Sequence, residues 1–195
     1  PAVEEVYPAG FSTTVRIEGP LTETLEGATR GPAHFWGVAT VVTKLFAMVQ
    51  PDAAYFGQKD AQQCVVVRRL IADLNLPIDL VVCPTVREPD GLAMSSRNVR
   101  LRGCDRERAL ALVDALHAAE AAIADGETDA HEVIAGATKA MLSRGVTPEY
   151  VAVVDPGTLA PVTLVDHQVL VVVAAPVGPV RLIDNMLIDP SGGVT

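Results

Sequence analysis

The hydrophobic positions in the first half of the chain predict alternating helices and strands. Apolar residues recur at intervals of three and four over residues 37–49 and 62–74, which predicts two amphipathic helices, the first ended by Gln50-Pro51-Asp52. Short apolar runs at residues 53–56 and 78–83 predict strands. Because strands and helices alternate, this half of the chain is predicted to be α/β with a parallel sheet.

The second half of the chain shows another pattern. Two alanine-rich stretches, residues 105–123 and 129–143, predict helices that begin at the capping residues Asp105 and Asp129. Apolar runs between Pro, Gly and Asp turns then predict three strands of a short antiparallel sheet. These strands are expected at residues 149–154, 169–174 and 180–188.

The change of pattern divides the chain into two predicted domains. Residues 1–88 form the α/β part, and residues 89–195 form a small α+β domain of two helices and a sheet. The beginning of the chain is rich in loops, with a short strand expected at residues 12–17 and a polar helix or turn at residues 21–28.

Composition narrows the class of protein. The 195 residues are 49% hydrophobic and 20% charged, which predicts a globular fold with a core. A net charge of −9 without a cluster of Lys or Arg argues against a nucleic-acid partner. The three cysteines form neither a disulfide framework nor a zinc motif, which favours a reducing cytoplasm. We expect neither a membrane-spanning segment nor a secretory signal.

The segment Phe56-Gly57-Gln58-Lys59-Asp60 stands where a predicted strand meets a helix. Backbone N–H groups at such a junction and the helix N-terminus favour anions, and ligands of open parallel sheets bind outside the carboxyl ends of strands. Lys59 is therefore a candidate for binding phosphate. A solvated surface lysine is the alternative.

A second candidate is Met94-Ser95-Ser96-Arg97-Asn98. Two hydroxyls and a guanidinium in succession offer several hydrogen-bond donors to a phosphate chain. The alternative is a serine-rich turn with an exposed arginine.

Other polar residues carry weaker signals. The amides of Gln62 and Gln63 could bind a carboxylate or a hydroxyl, or lie on a helix surface, and His34 is expected to pack rather than react. No metal site is predicted, because the remaining histidines lack partners at metal-ligand spacing, and no P-loop or dinucleotide glycine motif occurs.

Taken together, the segments from Glu5-Val6-Tyr7-Pro8 to Met94-Ser95-Ser96-Arg97-Asn98 resemble the pantothenate synthetase family. The terminal run Arg181-Leu182-Ile183-Asp184-Asn185 is also similar to that family's C-terminal lid domain. The resemblance implies a partial nucleotidyltransferase (Rossmann-like) domain followed by the lid. The matching segments between the two ends are residues 25–27, 34–35, 37–46, 51–60, 84–88 and 90–98.

The resemblance implies an ATP-dependent ligation of pantoate and β-alanine through a pantoyl adenylate, with Mg²⁺ accompanying the nucleotide. Its ATP contacts would be Gly57, Gln58, Lys59, Asp60, Val86 and the run Met94, Ser95, Ser96, Arg97. Catalytic roles would fall to Lys59, Ser95, Ser96 and Arg97, and Gln63 would bind pantoate. The family also implies a cytoplasmic homodimer.

Three features depart from the family's pattern. Its N-terminal histidine motif and first strands, roughly 100 residues at two or three strand-helix-strand units, are absent. The loop Arg30-Gly31-Pro32-Ala33-His34 has an extra residue and a shifted proline, and Gln58 stands where the family has glutamate. We therefore expect the chain as given to be inactive and the histidine segment to be encoded before Pro1.

Two other functions are compatible with the same motifs. One is a nucleotide-binding but non-catalytic remnant that packs against a partner. The other is a related adenylyl- or cytidylyltransferase with another acceptor, which the residues around Gln63 and Val86 fit less well.

Overall fold

The computed structural model describes residues 1–192, which divide into two compact units. The first unit comprises Pro1–Phe56 and Gln62–Cys83, and the second comprises Gly57–Ala61 and the chain from Pro84 onward. The short segment Gly57–Ala61 thus groups with the second unit although it lies far before the boundary predicted at residue 88.

The first unit combines a two-stranded sheet with helices. Strands β1 and β2 pair in a parallel sheet, as the alternation of strand and helix predicts, and α5 connects them. The elements are α1 Val3–Val6, α2 Pro20–Glu23, α3 Glu26–Arg30, α4 Pro32–Val49, β1 Ala53–Gly57, α5 Ala61–Asp73 and β2 Asp79–Cys83.

Helix α4 supplies much of this unit's core. Its residues Ala39, Val42 and Phe46 pack with Val67 and Leu70 of α5. The helix begins five residues earlier than the apolar spacing predicts, because Gly31 precedes it with a φ of 80° and Pro32 occupies the first turn. It ends at Gln50 in the left-handed conformation, before a proline, as the sequence predicts.

Length and composition would also let α4 cross a membrane. It is the one helix among residues 1–192 that meets both criteria, which core helices of globular proteins meet as well. Ala39 and Phe46 of this helix pack in the core of the first unit.

The strand predicted at residues 12–17 is wrong. The backbone N–H of Val15 donates to the Thr40 hydroxyl at 2.9 Å, and the same hydroxyl donates to the Val15 carbonyl at 3.3 Å. The carbonyl of Ile17 accepts from the Trp36 indole at 3.2 Å. These side chains of α4 satisfy backbone groups that a neighbouring strand would otherwise pair, and the segment joins no sheet.

The second unit packs helices on a three-stranded antiparallel sheet of order β3-β4-β5. The central strand β4 is buried at nearly every position, and a strand whose two faces are both buried has a continuous apolar sequence. The elements are α6 Cys104–Ala109, α7 Ala111–Ala124, α8 Ala130–Ser143, β3 Tyr150–Val154, β4 Val169–Val177 and β5 Val180–Ile188.

The helices of this unit differ from the prediction in one respect. The single helix expected at residues 105–123 is two, because the N–H of Leu110 bonds back to Glu107, three residues earlier, and tightens the chain there. Gly103 rather than Asp105 stands at the first helix's N-cap. Asp129 caps α8 as predicted, since its carboxylate accepts from the N–H of His131 at 2.8 Å.

A loop between residues 86 and 94 is anchored to α6 by charge. The Arg106 guanidinium donates to Glu88 at 2.7 Å and to Asp90 at 2.6 Å. Hydrogen bonds from Asn98 and from Arg106 hold the pKa of the Glu88 carboxyl below its ordinary value. Arg106 likewise holds the pKa of Asp90 low. The three side chains therefore form an ionised cluster at neutral pH.

Replacing Met141 tests the core of the second unit. Its side chain is fully buried, so Met141→Ala should lower the free energy of unfolding by about 2–5 kcal/mol through lost burial and a cavity. Leu142→Ala, on the exposed face of the same helix, should change it by less than about 0.5 kcal/mol. Urea unfolding followed by far-UV circular dichroism measures both, and equal effects would contradict the packing described.

Replacing Arg106 tests the charged cluster. Because the folded-state pKa values of Glu88 and Asp90 are lowered, their stabilisation is present above the ordinary carboxyl pKa of about 4 and is lost as the pH falls through the folded-state values. We expect Arg106→Gln to lower the free energy of unfolding by about 1 kcal/mol at pH 7 and by less at pH 3.

The matched control is Arg102→Gln, an exposed arginine two residues before α6. It should change stability little at either pH. A destabilisation by Arg106→Gln that is the same at pH 7 and pH 3 would exclude the ionised cluster as its cause.

Candidate functional site

Lys59 lies in a short turn between a strand and a helix. Strand β1 ends at Gly57, a turn of 3₁₀-helix covers Gln58–Asp60, and α5 begins at Ala61. Lys59 is half-buried, and within residues 1–192 its ammonium forms neither a hydrogen bond nor an ion pair. The lysine turn, residues 57–61, therefore presents a cation that is available to an anion.

The side chain of Asn185 on β5 holds the backbone of the lysine turn. Its amide nitrogen donates to the carbonyls of Gln58 and Lys59 at 2.9 and 3.0 Å. Its oxygen accepts from the Gln58 amide at 3.5 Å. Asn185 is 4% exposed, so these bonds also satisfy a buried polar side chain.

The neighbouring residue Asp184 forms a buried ion pair with Arg87. The guanidinium donates to both carboxylate oxygens, at 2.6 and 3.1 Å, and also to the carbonyls of Gly91 and Asn185. Burial raises the pKa of the Asp184 carboxyl, while the hydrogen bonds and charge of Arg87, and then the charge of Lys59, act in the opposite direction. The bidentate pair fixes Arg87, whose role is to hold the loop.

The loop of residues 86–94 closes on itself like a hairpin. The N–H of Met94 donates to the Val86 carbonyl at 2.9 Å, and Arg87 and Ala93 form an antiparallel bridge. Val86 and Met94 are therefore cross-strand neighbours, and both side chains are exposed, at 65% and 53%. Two exposed apolar side chains side by side offer a surface on which a planar apolar group can rest.

The residues after this loop form a turn with buried support and exposed donors. Asn98 is buried and donates to the Ala93 carbonyl at 3.1 Å and to Glu88 at 2.5 Å. Ser95 accepts from the N–H of Arg97 at 3.2 Å. Ser96 and Arg97 are exposed, and the Arg97 guanidinium makes no ion pair within residues 1–192. The Ser96 hydroxyl and the Arg97 guanidinium are thus available to a ligand.

The two glutamines lie in the first unit, on α5. The Gln62 amide donates to the carbonyls of Leu21 and Thr24 and accepts from the N–H of Glu26. Its polar atoms are therefore all used in hydrogen bonds within the first unit. Gln63 is half-buried beside it. The ring of His34 packs edge-on against Phe35 with centroids 5.0 Å apart.

The residues that hold these segments in place were not predicted from the sequence. Asp184 and Asn185 interrupt an otherwise apolar strand pattern, and two adjacent buried polar residues in a strand are the one signal that pointed to them. Their partners lie 97 and 127 residues away in sequence, which no local pattern reveals.

A sequence model of the pantoate-beta-alanine ligase family matches residues 1–187. The pantothenate synthetase of Herpetosiphon aurantiacus is 51% identical over 189 residues, covering 96% of this chain and 68% of the relative. Chain and relatives thus match over about two thirds of the relatives' length.

Solved structures show the same likeness. A pantothenate synthetase from Thermus thermophilus superposes with a TM-score of 0.91 at 46% identity, covering 95% of this chain and 67% of that one. A pantoate-beta-alanine ligase from Francisella tularensis, complexed with beta-gamma ATP and beta-alanine, gives a TM-score of 0.71 at 29% identity, covering 97% of this chain and 63% of that one. Sequence and fold agree, and the chain belongs to the pantoate-beta-alanine ligase family.

Proposed function

We propose that the protein joins pantoate and β-alanine to make pantothenate at the expense of ATP. In the first step the pantoate carboxylate attacks the α-phosphorus, a new O–P bond forms and pyrophosphate leaves. In the second the β-alanine amine attacks the activated acyl carbon, a C–N bond forms, AMP leaves and the amine loses a proton. We also propose a homodimer in the cytoplasm.

The observation that most supports this proposal is the family match across residues 1–187. The Francisella tularensis relative, bound to an ATP compound and to beta-alanine, favours the same two ligands here. The site adds a physical reason, because Lys59 and Arg97 are cations without ion pairs among the described residues of an otherwise acidic chain.

The residues of the second unit suit the first step. In our proposal Lys59 and Arg97 bind the phosphates and stabilise the negative charge that moves onto pyrophosphate as the bond breaks. The hydroxyls of Ser95 and Ser96 add donors, with Gly57, Gln58 and Asp60 lining the turn. Val86 and Met94 would rest against the adenine ring. Gln63, which lies in the first unit, would bind pantoate.

Mg²⁺ would arrive with the nucleotide. Among residues 1–192 no group of three or more His, Cys, Asp or Glu side chains could hold a metal ion, and Mg²⁺ commonly keeps waters and phosphate oxygens as ligands. When bound, the ion would supply charge neutralisation for the phosphates. The chain's own part is to orient those phosphates through Lys59 and Arg97.

The proposed activity is tested with the protein as the organism encodes it. Pantothenate formed from pantoate, β-alanine and ATP, with AMP and pyrophosphate released, would support the ligase. ATP binding by calorimetry without any pantothenate would instead indicate the non-catalytic nucleotide-binding module. Neither binding nor turnover would overturn both. Light scattering at working concentration tests the dimer.

Lys59→Met tests the proposed phosphate cation. Removing a group that stabilises charge in the transition state commonly lowers kcat by 10²–10³, so we expect kcat for AMP formation to fall by about that factor. Lys139→Met, which changes an exposed lysine on α8, is the matched control and should leave it unchanged. A fall of less than about threefold for Lys59→Met would remove Lys59 from the proposed site.

Arg97→Gln tests the second cation. Because this exposed guanidinium makes no ion pair within residues 1–192, its loss should not lower stability, but it should raise the KM for ATP by roughly 10-fold, the equivalent of about 1.4 kcal/mol. Arg100→Gln, three residues on and also exposed, is the control. Equal KM values in the two variants would count against a phosphate contact at Arg97.

A further inference from the structure

Two adjacent residues of β5 support two of the segments that carry proposed ATP contacts. Asn185 bonds to the lysine turn, and Asp184 bonds to Arg87 in the loop that carries Val86 and Met94. Adjacent side chains of a strand project to opposite faces, so one strand can hold two separate segments. All of these residues belong to the second unit.

The hydrogen bonds of the Asn185 amide hold the backbone of the lysine turn. Both of its N–H donors are used on successive backbone carbonyls, those of Gln58 and Lys59. A carbonyl at the start of a helix can accept from within the helix, so two bonds from a distant strand are an additional constraint on the turn. The amide fixes the backbone of Lys59, from which its ammonium extends.

The Asn185 side chain also differs from the side chains of β5 that fill the core. The residues of β5 that fill the core are apolar, namely Val180, Leu182 and Ile188. Asn185 is buried and polar, and its hydrogen bonds go to residues 58 and 59 and to the side chain of Gln58. A buried polar side chain whose bonds converge on one turn restricts the geometry of that turn.

We propose that Asn185 is a positioning residue of the ATP site, which sets the place of Lys59 by holding the carbonyls of Gln58 and Lys59. This inference rests on the proposed function, since it assigns Lys59 to the phosphates of ATP. A displacement of about 1 Å in a group that positions a substrate can cost 10²-fold in rate.

Asn185→Leu, Asn185→Asp and the control Arg181→Gln test the inference in the protein as encoded. The leucine is close in size but cannot donate, so we expect kcat/KM for ATP to fall by about 10- to 100-fold while the KM for pantoate stays within twofold. Arg181→Gln removes a surface ion pair with Glu149 from the same strand and should leave kcat/KM for ATP unchanged.

Asn185→Asp provides a test that a purely structural role would not satisfy. An ionised carboxylate faces two carbonyls without a proton to donate, whereas the protonated acid can donate one hydrogen bond. The activity of Asn185→Asp, relative to that of the natural protein, should therefore rise as the pH falls. A ratio that does not change with pH would overturn the inference. If Asn185→Leu fails to fold, the pH dependence of Asn185→Asp alone decides the test.

Hydrogen exchange without nucleotide separates the inference from the proposed function. Amide protons of residues 58–63 should exchange faster in Asn185→Leu than in the natural protein or in Arg181→Gln. If the natural protein neither binds nor consumes ATP, the proposed function fails and the inference about the ATP site fails with it, whereas faster exchange would still show that Asn185 restrains the turn. If the natural protein is active and the kcat/KM for ATP of Asn185→Leu lies within twofold of its value, the inference is overturned while the proposed function stands.

Discussion

The second unit has to accommodate the buried carboxylate of Asp184 on β5. Asp184 is 2% exposed, and a charge so far from water requires a paired partner. Arg87 supplies two hydrogen bonds to it and uses another on the Gly91 carbonyl, which closes the loop of residues 86–94. Arg106 then holds the outer side of that loop through Glu88 and Asp90. The position of Val86 and Met94 thus depends on a strand nearly 100 residues later.

In the second unit, the residues that hold the backbone are different from the candidates for ligand binding. The groups that hold the backbone, namely the carboxylate of Asp184, the amide of Asn185 and the amide nitrogen of Asn98, are buried and bonded. The candidates for ligand binding, Lys59, Ser96 and Arg97, are half-buried or exposed. Buried hydrogen bonds keep the backbone in place, while the unpaired donors remain available to a ligand. In our proposal, this division would let an acidic chain bind an anion locally.

Sequence periodicity predicted the elements that owe their form to burial. Helix α8 with its Asp129 cap, strands β4 and β5, and the β1-α5-β2 unit follow from apolar spacing. Three details did not, because single hydrogen bonds or one proline decide them: the segment at residues 12–17 bonded by Thr40, the start of α4 at Pro32, and the break at Leu110. Lys59 and Arg97 could be proposed from local chemistry. Asn185 could not, since its partners lie 126 and 127 residues earlier.

The adjacent residues Asp184 and Asn185 stabilise the second unit in different ways. Removing Arg87 would leave a buried carboxylate unpaired, at a cost of about 3–5 kcal/mol, a large share of the stability of a small unit. Removing the Asn185 amide leaves two neutral carbonyls, each of which costs about 1–3 kcal/mol if it stays buried and less if it reaches water. The cost of losing the ion pair falls on a carboxylate that is buried in a strand, whereas the cost of losing the amide is smaller wherever the carbonyls of the lysine turn reach water. Placement of the lysine turn is thus the part of this framework that can vary at the lower cost to the fold.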